Sequence, residues 1–158
     1  MSVGSSGKQT QIIAELKRKL RELKRLERSI RFGVSRGSSI PPGQKLVWDR
    51  FFSTKGGVKE GIRYPIEQLA EMDREAFKGV IEEFFYHVYF EHYRANGLRL
   101  EDVHDPNLLA LLDLPPYASA QDIKRRFRQL AMKYHPDHGG DSQQFIELME
   151  LYEKLQAD

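Results

Sequence analysis

The chain contains no cysteine. That absence removes disulfides, thiolate zinc sites and cysteine nucleophiles together, and leaves the redox compartment open. Long apolar runs are missing too. The longest strongly apolar stretch, about Phe84 to Phe90, falls far short of a bilayer span. No apolar segment of the secretory kind follows the start, so a cytoplasmic location is expected. No run alternates apolar and polar residues as a half-buried strand would. A Gly-rich phosphate loop, an HExxH pattern and a Ser-His-Asp order are all absent, so no enzyme chemistry is expected.

What is present suits helices. Apolar residues make up 40% of the 158 positions and charged residues 30%, enough for one ordinary domain or two small ones with a core. An all-α fold is expected. The net charge of +2 hides a strong asymmetry. Between Lys8 and Arg36 ten basic residues face only Glu15, Glu22 and Glu27. Between Glu67 and Asp105 ten acids face Arg74, Lys78, Arg94 and Arg99.

Residues 1–9 read as a disordered leader, rich in Ser and Gly. An N-terminal helical region, residues 10–97, follows. Its first helix is expected from Thr10 to Arg31, where Ile12, Ile13, Leu16, Leu20, Leu23, Leu26 and Ile30 recur at helical spacing on a basic rod. Gly33, Gly37, Pro41, Pro42 and Gly43 mark a linker over 32–45. Leu46 to Phe52 is a short packed piece around Trp48, and Gly56, Gly57 and Gly61 break the chain again. Pro65 opens a short helix ending near Met72. Asp73 caps a long one from Arg74 to about Ala95, stopped by Asn96-Gly97. That long helix carries Phe77, Val80, Ile81, Phe84, Phe85, Val88, Tyr89 and Tyr93. It is apolar around most of its girth, so packing on several sides is expected of it.

The last unit, residues 104–158, has the cleanest pattern. Asp105-Pro106 starts a helix through Leu112, ended by Pro115-Pro116. Ser119 and Asp122 form a capping box for the next helix. Ile123, Phe127, Leu130 and Tyr134 share one face of it. Lys124, Arg125 and Arg128 point away from that face, with Arg126 and Lys133 on its flanks. His135-Pro136 stops the helix, because proline cannot continue it and disfavours the α region for the residue before. A third helix from Asp141 or Ser142 offers Phe145, Leu148, Tyr152 and Leu155 in return. The sum is an antiparallel hairpin with a polar tip and one positive outer wall. His135, Asp137, His138 and Asp141 match no metal-ligand spacing, so neither metal nor cofactor is expected.

Over about Asn107 to Leu155 the sequence resembles the J-domain of the DnaJ family. Leu111-Leu112 and Leu114 resemble the family's first helix. Ile123 to Tyr134 (IKRRFRQLAMKY) resembles its basic second helix, and the family's hallmark His135-Pro136-Asp137 follows. Phe145, Leu148, Tyr152-Glu153 and Leu155 resemble its third. The tripeptide alone is a weak motif, but in this ordered context the combination is specific.

The resemblance implies a partner and a mechanism. The positive face of the second helix docks on an acidic surface of a DnaK-type chaperone's ATPase domain. The aspartate then reaches a chaperone arginine that couples its domains, and ATP hydrolysis follows. Carried over, Lys124, Arg125 and Arg128 supply steering and docking, with Arg126 and Lys133 beside them. Pro136 fixes the turn, Asp137 carries the signal and His135 positions it.

Four positions depart from the family. Asp113 stands where Gly usually ends the first helix, tolerable because Asp can adopt the left-handed conformation. Phe127 replaces Tyr, Gln129 replaces a basic residue and Leu151 replaces Ala. The resemblance also implies a three-helix J-domain of the minimal kind, without the fourth helix and without Gly/Phe-rich, zinc-binding or client-binding segments after it.

By the same resemblance the front part selects a client or a location. Its basic helix has three readings: a short coiled coil, a peripheral membrane or nucleic-acid contact, or packing on the acidic segment Arg74 to Ala95. The charge asymmetry favours the last. About three drifting heptads are marginal for the first. The lack of aromatics on the apolar stripe counts against membrane and nucleic acid. Two rivals stand against the main reading: an adaptor using a J-like hairpin purely for protein binding, and a basic nucleic-acid-binding protein.

Overall fold

A computed structural model of the chain describes residues 3–34, 37–55, 60–97, 105–138 and 141–157. Seven α-helices, one 3₁₀ turn and no strand lie among the described residues, so the fold is all-α as expected. The helices are α1 (Val3–Phe32), α2 (Trp48–Phe51), α3 (Ile66–Ala70), α4 (Arg74–Asn96), α5 (Pro106–Leu111), α6 (Ala120–Lys133) and α7 (Ser142–Ala157). None of them is long and apolar enough to cross a membrane. The chain divides into two compact units, Met1–Phe84 and Phe85–Asp158. The division falls inside α4.

In the first unit α1 begins ahead of the expected Thr10, in the Ser/Gly stretch read as a leader. A helix already nucleated extends through such residues at a cost of only about 0.5–1 kcal/mol each. At its other end Gly33 takes φ 63°, and its N–H closes the helix on the Ser29 carbonyl at 3.0 Å. The apolar stripe is real but uneven: Leu20 and Leu23 are buried, whereas Ile12 is exposed.

What covers the stripe differs from the expectation drawn from charge. The most extensive packing of α1 is against α3, followed by α2. The tie is one carboxylate. Glu27 is fully buried on the apolar stripe and accepts from the backbone N–H groups of Val47 (2.6 Å) and Trp48 (2.8 Å). Those donors open α2 and have no partner within it, so Glu27 serves as their cap from 20 residues away. Arg31 completes the charge balance at 2.8 Å. The Trp48 indole N–H donates to the Leu20 carbonyl at 2.7 Å, and the Lys24 ammonium lies 4.6 Å above its ring. Phe51, Phe52 and Phe84 form an edge-packed cluster with centroids 5.3–5.9 Å apart. The expected break at Gly56-Gly57 lies outside the described residues; Gly61 takes φ 86°.

The second unit comprises the latter half of α4 with α5, α6 and α7. Asp105 caps α5, its carboxylate accepting from the N–H groups of Asn107 and Leu108. The capping box between Ser119 and Asp122 is formed at the start of α6. Hydrogen bonds from Ser119 hold the Asp122 carboxyl below its ordinary pKa. Ile123, Phe127, Leu130 and Ala131 of α6 are buried, as are Phe145, Ile146, Leu148, Met149 and Tyr152 of α7. The Phe127 and Tyr152 rings meet at 5.9 Å, and nearer the turn Leu130 and Leu148 line one groove. That order is the one expected of two helices running back along each other. Phe127 has no exposed surface, so a Tyr there would need a buried partner for its hydroxyl.

Asp113 ends α5 with φ 58°, the left-handed conformation expected of it. Replacing it with Gly removes the Cβ penalty at that position and should raise stability by about 0.5–1 kcal/mol. A rise in thermal midpoint would check this, and a fall would show that its carboxylate, 3.8 Å from Arg126, matters more than the backbone.

Candidate functional site

The turn between α6 and α7 is built locally. α6 ends at Lys133, and Tyr134 turns its N–H back to the Leu130 carbonyl at 2.9 Å. Pro136 then opens a single 3₁₀ turn, Pro136–His138, its fixed φ already suited to that position. His135 stitches the turn together. Its Nδ1 accepts the backbone N–H of Asp137 at 3.0 Å, and the Asp137 carboxylate lies 3.8 Å from the same nitrogen. His135 is half-buried, whereas the Asp137 side chain is 60% exposed. The imidazole is therefore a fixed brace, and the carboxylate is held outward at the tip.

Beside the tip runs the outer face of α6. Lys124, Arg125, Arg128 and Lys133 are all exposed. Arg125 lies 3.9 Å from Asp122, an exposed pair that neutralises little. The Lys133 ammonium sits 5.4 Å from the Tyr134 ring centroid. Arg126 behaves differently. Its Nε donates to the Leu112 carbonyl at 2.8 Å, and Nη1 donates to Gln129 Oε1 at 3.2 Å. Leu112 is the C-cap of α5, where a cation satisfies both an orphan carbonyl and the negative helix end. Arg126 is thus occupied in holding α5 to α6. Gln129, where a basic residue is common, helps to keep it there.

Seven of the eight residues singled out from sequence are thus brought to the tip or to one exposed positive face, and Arg126 is turned inward. Sequence reasoning missed what stands behind the tip. Tyr86 of α4 is completely buried, and its ring meets that of His135 edge-on at 5.2 Å. His87 presents its own ring to His135 at 5.6 Å. The Tyr86 hydroxyl donates to the Ala131 carbonyl, 45 residues away. Burial pushes that hydroxyl's pKa up to about 12, with the Asp137 charge adding to the effect. It remains a donor at any ordinary pH. Further along α4, Tyr93 stacks on Phe127 at 5.9 Å, and His92 Nε2 meets Glu153 at 2.7 Å. No sequence signal marks Tyr86, because a helix apolar around its girth does not reveal which ring faces which partner.

Residues 107–158 match the family model of the DnaJ domain. The curated relatives agree over the same stretch. The small t antigen of budgerigar fledgling disease virus is 50% identical over 48 residues, which cover 30% of this chain and 33% of that protein. The chaperone protein DnaJ of Mycoplasmoides gallisepticum is 50% identical over 48 residues, 28% of this chain and 12% of that one. The chaperone protein dnaJ 3 of Arabidopsis thaliana is 44% identical over 45 residues, 28% and 11% respectively. The chain therefore spans a third or less of these relatives. No solved structure matches it.

Proposed function

We infer that the DnaJ domain formed by residues 107–158 makes this chain a co-chaperone, one that docks on a DnaK-type chaperone and stimulates its ATP hydrolysis. One observation carries the reading furthest. The Asp137 carboxylate is held outward by the His135 brace, at the end of a helix whose exposed face carries Lys124, Arg125, Arg128 and Lys133. Such a face steers an acidic partner by long-range attraction, which raises the association rate and fades with salt. The aspartate then contributes a charge-assisted contact to a chaperone arginine. The chain itself performs no bond chemistry in this scheme. The ATPase belongs to the partner, and the first unit supplies the choice of client or location.

Single-turnover ATP hydrolysis by a DnaK-type chaperone, with and without this protein at two salt concentrations, tests the proposal. Stimulation that weakens with salt is the expected result. Reversing two charges together, Lys124→Glu and Arg128→Glu, should raise the half-saturating concentration about tenfold or more at low salt, and less at high salt. Absence of stimulation by a chaperone from the same organism would leave the hairpin as a binding module without effect on any ATPase.

A further inference from the structure

The last four carbonyls of a helix have no partner within it. In α6, the carbonyl of Leu130 receives the N–H of Tyr134, and that of Met132 receives the N–H of His135 at 3.4 Å. The Ala131 carbonyl lies between them and faces inward. Its donor comes from α4, the Tyr86 hydroxyl. The same side chain meets His135 edge-on and lies against Phe145 at 4.9 Å, while Phe90 stacks on its other side at 6.0 Å. One buried residue thus touches the end of α6, the imidazole that braces the turn, and the start of α7. All of these contacts lie outside the stretch matched by the family model, on their α4 side.

We propose that Tyr86 is a positioning residue for the His135-Pro136-Asp137 turn, so that the working J unit of this chain includes the Tyr86 turn of α4 as well as residues 107–158. The physical route is short. The hydroxyl fixes where α6 stops, and the ring fixes the plane of the imidazole. Through its Nδ1 the imidazole then fixes the Asp137 backbone, and with it the direction of the carboxylate. Removing the hydroxyl leaves a buried carbonyl without its donor at the point where the chain leaves the helix. The turn must shift to satisfy it. The docking face of α6 is untouched by that shift, so the defect belongs to coupling and not to encounter. This part of the inference rests on the co-chaperone reading.

The test uses the full chain with Tyr86→Phe, which keeps the ring, and Tyr93→Leu, which weakens the packing of α4 on Phe127 instead. Two quantities are read. The first is the maximal stimulation of a DnaK-type ATPase against the half-saturating concentration. The second needs no chaperone: the nitrogen chemical shifts of the His135 ring and the Asp137 amide, which report the tautomer and the N–H···Nδ1 bond. In Tyr86→Phe, maximal stimulation should fall about tenfold while the half-saturating concentration stays within about twofold. The His135 and Asp137 signals should move. In Tyr93→Leu both signals and the stimulation per folded molecule should stay near wild type. Unmoved turn signals in Tyr86→Phe would overturn the positioning role, as would an equal fall in stimulation for Tyr93→Leu at matched stability. Should the wild-type chain fail to stimulate, the co-chaperone reading falls, and the chemical shifts still decide what Tyr86 does.

Discussion

Replacing Asp137 with Asn should cut stimulation of the chaperone ATPase by about ten- to a hundredfold while leaving the protein folded. The exchange is nearly isosteric, and the backbone N–H that binds His135 Nδ1 at 3.0 Å is unaffected. The turn therefore survives and only the charge is lost. A hydrogen bond to a charged group contributes about 1.5–3 kcal/mol, equivalent to about ten- to a hundredfold in a rate or equilibrium that depends on it. The whole of that loss should appear in maximal stimulation, since the exposed cations of α6 still steer the encounter. A turnover experiment beside the wild type decides it. Full activity in Asp137→Asn would show that the outward carboxylate plays no part, and the proposed mechanism would fail with it. A raised half-saturating concentration with unchanged maximum would move Asp137 into the docking surface.

The second large effect is on stability. Glu27→Ala should cost about 3–5 kcal/mol, because it strips a buried ion pair of one partner and leaves the other uncompensated. Arg31 retains only 6% of its side-chain surface in the folded chain, so it cannot simply turn to water. The N–H groups of Val47 and Trp48 lose their acceptor at the same stroke. Trp48, the single tryptophan, donates one of those bonds and makes a fluorescence probe at the site itself. Urea unfolding followed at that ring would show the loss as a lower midpoint. A loss below about 1 kcal/mol would mean that water enters and replaces the carboxylate. Glu27→Gln should fall between, since it keeps one acceptor oxygen and gives up the charge.

The C-terminal hairpin was legible almost residue by residue, for a physical reason. Caps, stripe and stop are all local: Ser119 with Asp122, the spacing of Ile123, Phe127 and Leu130, and Pro136 each act within a turn or two of chain. Even the left-handed turn at Asp113 follows from the residue's own chemistry. What stayed hidden is non-local. Glu27 looks like one more charge on a basic rod, and only the fold shows it buried under α2. Charge asymmetry pointed α1 toward the acidic segment, yet apolar burial on α3 and a single capping carboxylate decide its packing. Arg126 reads as one of a row of cations, but a carbonyl left open by α5 claims it. Tyr86 is the clearest case. Its neighbours lie up to 59 residues along the chain, at Phe145, and nothing in the periodicity of α4 singles it out.

The burial of α4 against α6 and α7 also sets a schedule for synthesis. Tyr86 and Tyr93 emerge before Phe127, His135 and Phe145, the α6–α7 side of their ring contacts. Tyr93 and Tyr152 are 59 positions apart, which at about 5–20 residues per second means roughly 3–12 s between the two. Through that interval the aromatic side of α4 has no hairpin to cover it. The nascent chain therefore carries these rings without their α6 and α7 partners until α7 is made.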